Sequence, residues 1–171
     1  MSESNYTEII KDEANRALWE VNNVIHCVPD ELWNKCYCDM PLWKHIYHML
    51  HSLDQWYINP RVYTEPSFHT EGLNNLDIPS DTPLTRKDIE HYFDDVERKI
   101  TEYDDSLSDD ILLQKPGNCE WTRFTLILAQ HRHLHSHMGM LMGFIIEDTG
   151  MWPNTLGLER SIPKGKLGTY F

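Results

Sequence analysis

The sequence contains no apolar run approaching the ~18 residues that a membrane-crossing helix requires, so a membrane-spanning role is not expected. It is also short of basic residues: 15 Lys and Arg stand against 27 Asp and Glu, a formal net charge of -12. Nucleic-acid backbones and anionic lipid are bound by concentrated Lys and Arg. Only Arg160, Lys164 and Lys166 form a locally basic group, so neither partner is expected. Cysteine is sparse, with four residues: Cys27, Cys36, Cys38 and Cys119. Cys36 and Cys38 are separated by one residue, not the two of a zinc knuckle or thioredoxin-type motif. All four read as buried or half-buried free thiols of a reducing compartment. The first residues lack the basic and apolar segments of a secretion signal, and the expected location is cytoplasmic. No Ser-His-Asp order and no glycine-rich phosphate loop is present.

What is present is aromatic and helical. Six Trp, eight Tyr and five Phe among 171 residues can fill a wide interior, and the length suits one domain over residues 1–171. A first helix is expected from about Tyr6 to His26, where Ile9, Ala14, Ala17, Leu18, Val21, Val24 and Ile25 recur at helical spacing. A second should begin near Pro41, which suits a first turn, and end at Ile58-Asn59-Pro60, where the proline disfavours helix in the residue before it. Residues 60 to 84 carry prolines and polar residues and predict a long irregular connection of the kind that lines functional sites. A third helix opens at Thr85, with Asp88 completing a capping-box-like pattern, and buries Ile89, Tyr92, Phe93, Val96 and Ile100. A fourth runs from about Trp121 to Ile146, and the tail from Met151 to Phe171 should wrap the bundle. The fold class is therefore all-α, a four-helix bundle whose long second connection crosses over between parallel neighbours.

The histidines are the chemical signal. Of ten in the chain, three lie in the second helix (His45, His48, His51) and four in the fourth (His131, His133, His135, His137). Imidazole is the commonest metal ligand among side chains, and helical bundles build metal sites from side chains facing inward on different helices. Histidines four residues apart share a helix face, which leaves two possible pairs in the fourth helix: His131 with His135, or His133 with His137. The pairs point roughly 200° apart at ~100° per residue, so one ion takes at most one of them. The flanking apolar residues do not choose between the pairs. In the second helix the apolar stripe through Leu42, Ile46, Met49, Leu50 and Leu53 slightly favours His45 over His48 as the inward residue.

The segment Arg132-His133-Leu134-His135-Ser136-His137-Met138-Gly139-Met140-Leu141 resembles the late-helix pattern RHxxxHxGxL of the DinB/YfiT-like superfamily. Tyr47-His48-Met49-Leu50-His51-Ser52-Leu53-Asp54-Gln55-Trp56 is similar to that family's second-helix segment HxLxxLDxW. Pro116-Gly117-Asn118-Cys119-Glu120-Trp121 fits its usual approach to the last helix. The resemblance extends over most of the chain, in helix order and in the long connection. It implies a three-histidine metal site at His48, His133 and His137, with Gly139 letting another part of the chain approach the helix. His45, His51, His131 and His135 are then surface or supporting polar residues, with His51 closest to the pocket. Asp54 reads as a helix-surface carboxylate or as a group that orients another by hydrogen bonding.

Three imidazoles leave a fourth position open on zinc, as in catalytic sites. Zinc is the first expectation for the divalent ion, and nickel, iron or copper suit the same donors. Members of the family include metal-dependent transferases that use a low-molecular-weight thiol, such as mycothiol or bacillithiol, on electrophilic substrates, and others are tied to stress responses. The resemblance therefore implies a metal-dependent enzyme, a thiol S-transferase or a hydrolase acting on a small-molecule substrate, in a family whose members are often homodimers. The alternative is a non-catalytic metal- or ligand-binding protein of the stress response, acting as a sensor or dimeric scaffold. An enzyme predicts a pocket lined by the 60–84 connection; a scaffold predicts an apolar helix face suited to pairing.

Overall fold

Tyr6 to Cys27 form the first helix, α1, opened by the Asn5 side chain accepting from the Glu8 amide. The computed structural model describes residues 5–171. A short 3-10 turn at Asp30–Leu32 and a small antiparallel hairpin, β1 (Cys36–Tyr37) and β2 (Met40–Pro41), lead into α2, Leu42–Trp56. The hairpin has no counterpart in the sequence reading. Its two-residue turn places Cys38 at φ 49° and Asp39 at φ 65°, a conformation for which glycine or asparagine is the usual signal. Pro41 sits at the N-cap of α2 rather than inside its first turn.

The remaining helices are α3 (Arg86–Ser106), the single-turn α4 (Asp109–Leu112) and α5 (Arg123–Thr149). Helix α3 begins with a full capping box between Thr85 and Asp88, and its expected apolar face, Ile89, Tyr92, Phe93, Val96 and Ile100, is entirely buried. Helix α5 stops at Gly150, which takes φ 69° as a left-handed cap.

The four long helices pack in a ring, with α2 against α3 and α5, and α1 against the same two. Helices α2 and α3 run parallel: the Tyr47 and Tyr92 rings meet near their starts, at 5.6 Å, and the Tyr57 hydroxyl reaches Asp104 near their ends, at 3.1 Å. Helix α5 runs against α2, since Trp56 meets Trp121 at one end and His45 meets Phe144 at the other. Helix α1 opposes α3, through Lys11 with Asp105 and His26 with Glu90. The connection between α2 and α3 is thus a crossover between parallel neighbours.

Helix α2 is the centre of the core. Leu42, Trp43, Lys44, His45, Ile46 and Tyr47 are consecutive and all buried, so this helix is enclosed on every side rather than along one stripe. Each large apolar side chain buried in this way contributes about 1.5–3 kcal/mol. Its polar residues are covered too. Asp54, read from the sequence first as a helix-surface carboxylate, is instead buried and accepts from Lys99 at 2.8 Å and Tyr92 at 3.0 Å, tying α2 to α3. The tail lies along α1: Asn23 donates to the Asn154 and Thr169 carbonyls, and Tyr170 donates to the Cys27 carbonyl. Cys27 and Cys119 are buried, but Cys36, on the outer side of β1, and Cys38, in the hairpin turn, are exposed.

Candidate metal centre

The antiparallel packing of α2 on α5 brings His48 to His133 and His137. Ring centroids are 5.7 Å apart for His48 and His133, 4.6 Å for His48 and His137, and 4.4 Å for His133 and His137. One nitrogen from each ring lies within 4.8 Å of the other two, and all three residues are half-buried. The Nε2 atoms of His133 and His137 stand 3.1 Å apart. Two nitrogens bound to one tetrahedral ion at ~2.0–2.1 Å would be about 3.3 Å apart, so the pair is already close to ligand spacing. Each Nδ1 of this pair is buried without a hydrogen-bond partner.

His48 is held differently. Its Nδ1–H donates to the Asn74 carbonyl at 2.7 Å, which leaves Nε2 with the lone pair. That is the tautomer and the outer hydrogen bond usual for a ligating histidine. Burial keeps the other two rings neutral and therefore able to ligate. It lowers the pKa of His133, helped by the charges of His48 and Arg132. It pushes His137 down to about 4, helped by His133, His48 and His45. The donor set fits a divalent transition ion, and among the described residues no fourth His, Cys, Asp or Glu joins it.

The other histidines depart from the sequence reading in part. His45, favoured by the apolar stripe, is buried, but its Nε2 faces the Tyr37 carbonyl at 2.8 Å and anchors the hairpin to α2. His51 is buried as well, bonded to Glu65 at 2.7 Å. Neither is a surface residue. His131 and His135 are half-buried with rings 4.3 Å apart, and among the described residues no third donor converges on them. Gly139 admits no close neighbour: a Cβ there would meet nothing within 4 Å.

Sequence reasoning missed the way the long connection is fastened. Lys44 donates to the Ile78 carbonyl, Tyr47 bonds His69 at 2.7 Å, His48 bonds Asn74, and His51 bonds Glu65. Residues 44, 47, 48 and 51 form a polar stripe at helical spacing. Such a stripe usually faces water; here the connection covers it. A helix with aromatic residues on its other faces and a long polar segment after it carried that signal.

Two clefts lie elsewhere on the bundle, and none of His48, His133 and His137 lines either. One, of about 280 Å³, is lined by Tyr63 and Thr64 of the connection with Asp54 and Lys99. The other, of about 230 Å³, is apolar and lies between α1 and α5, lined by Tyr6, Ile9, Phe124 and Leu128. The chain matches no family profile, no curated protein and no solved structure.

Proposed function

We propose that this chain is a metal-dependent enzyme of the DinB-like superfamily, in which His48, His133 and His137 hold one divalent ion that activates a small thiol or water. The observation that carries the reading is the meeting of these three rings across the α2–α5 contact, with His48 already oriented by Asn74. A divalent ion there supplies Lewis acidity, lowering the pKa of water or a thiol until it is a nucleophile near neutral pH. The chain's own part is to keep His133 and His137 neutral by burial and to aim His48 Nε2 through its bonded Nδ1. Three protein donors leave a position for the small-molecule substrate, and S-transfer or hydrolysis are the reaction classes such a site serves. Zinc is the first choice of ion.

The test is elemental analysis of protein purified without an affinity tag, with His133→Ala beside the wild type. Loss of one ion per chain, or a fall in affinity of about 100-fold or more, is expected. Retention of the full wild-type content would overturn the triad. The apolar cleft between α1 and α5 supports the second reading, a non-catalytic dimeric scaffold; a chain that sediments as a monomer removes it.

A further inference from the structure

We propose that His51, Glu65 and His69 form a second divalent metal site, one turn along α2 from His48. The three residues come from two segments: His51 from α2, and Glu65 and His69 from the connection that covers it. Glu65 Oε2 is 2.7 Å from His51 Nε2 and 3.6 Å from His69 Nδ1, and the three donor atoms lie within 4.8 Å of one another. Two imidazoles and a carboxylate with open positions are a donor set that first-row divalent ions accept. The burial is graded in a way that suits entry from solvent. The side chain of His51 is 2% exposed, that of His69 12% and that of Glu65 46%. Glu65 supplies a negative charge beside two closely packed imidazoles, centroids 4.9 Å apart.

Without an ion, hydrogen bonds hold the cluster. His51 Nε2–H donates to Glu65, Asn74 Nδ2 faces His51 Nδ1 at 3.3 Å, and the Tyr47 hydroxyl faces His69 Nδ1 at 2.7 Å. Ion binding requires the His51 proton to sit on Nδ1, freeing Nε2, and the Tyr47 hydroxyl to turn away from His69 Nδ1. The Asn74 amide then turns its oxygen to accept that proton. The Asn74 carbonyl meanwhile keeps its bond from His48, so one residue of the connection supports both histidine clusters.

The experiment counts Zn(II) bound per chain after chelator treatment, reloading and gel filtration, for the wild type, Glu65→Gln, His69→Ala, His133→Ala and Tyr63→Phe. Two ions are expected in the wild type and one in Glu65→Gln and in His69→Ala. Tyr63→Phe keeps the ring, removes the 3.4 Å hydrogen bond to Glu65 and the hydroxyl's interaction with Tyr92, takes away no proposed ligand atom, and should keep both. Circular dichroism checks that each variant is folded, and Glu65→Gln preserves shape at a half-exposed position. A wild type that binds a single ion, unchanged by Glu65→Gln and His69→Ala, would sink the second site. Loss in those two variants with no loss in His133→Ala would leave this site standing while removing the triad of the proposed function.

Discussion

Asp104, near the end of α3, accepts from the Tyr57 hydroxyl at 3.1 and 3.2 Å in surroundings that leave it buried. Burial raises its pKa to about 6, outweighing the bond from Tyr57 and the charge of Lys11. A carboxyl with a raised folded pKa holds its proton in the folded chain after the unfolded chain has lost it. Stability therefore falls as pH rises from the ordinary carboxylate range, near ~3.9, through 6, and levels off above. The shift corresponds to a loss on the order of 3 kcal/mol over that window. The stability difference between the wild type and Asp104→Asn, which keeps an acceptor for Tyr57, should fall by this amount between pH 4 and 6.5 in urea unfolding, against the opposite slope that the lowered pKa values of His133 and His137 give both proteins. An unchanged slope in the variant would place the titration elsewhere. At the same scale, His133 and His137 show why burial favours ligation: a ring that resists protonation keeps its lone pair.

Among the elements, the hairpin before α2 bears on the site because the Tyr37 carbonyl receives His45 and the Tyr37 ring stacks on Phe144 of α5 at 4.3 Å. Its turn is made from residues with side chains, Cys38 and Asp39, both at positive φ. A left-handed conformation costs such residues roughly 1 kcal/mol each. Replacing Cys38-Asp39 with Asn-Gly should stabilise the chain by about 1 kcal/mol or more, read as a higher urea midpoint at unchanged slope. A lower midpoint would mean that the native side chains make contacts worth more than the strain. Helix α2 shows the opposite relation between sequence and structure, since its apolar face was evident and its polar face was read as less buried than it is.

For the whole molecule, bound ions and folding are linked. An ion that binds only the folded chain, at a free concentration of 100 times its Kd, stabilises it by about 2.7 kcal/mol. In a chain of this size that raises the melting temperature by roughly 5–10 °C. Added Zn(II) should produce such a rise in wild type, EDTA should reverse it, and His133→Ala should show a smaller rise. Equal shifts in wild type and His133→Ala would separate the stabilisation from the triad. Much of the architecture was legible beforehand because local periodicity, capping at Thr85 and prolines at the helix ends report local geometry. The sequence by itself determined four long helices, a long crossover and two histidine-rich helices. Helical spacing could only say that His131 with His135, and His133 with His137, each share a face; resemblance to a family selected the second pair and His48. Tertiary structure alone decided that α2 meets α5 along the His133 face, that His45 serves the hairpin, and that the connection brings Glu65, His69 and Asn74 onto the polar side of α2. The physical reason is that the angle around a helix specifies which residues point together, whereas what they point at depends on chain segments far away in sequence.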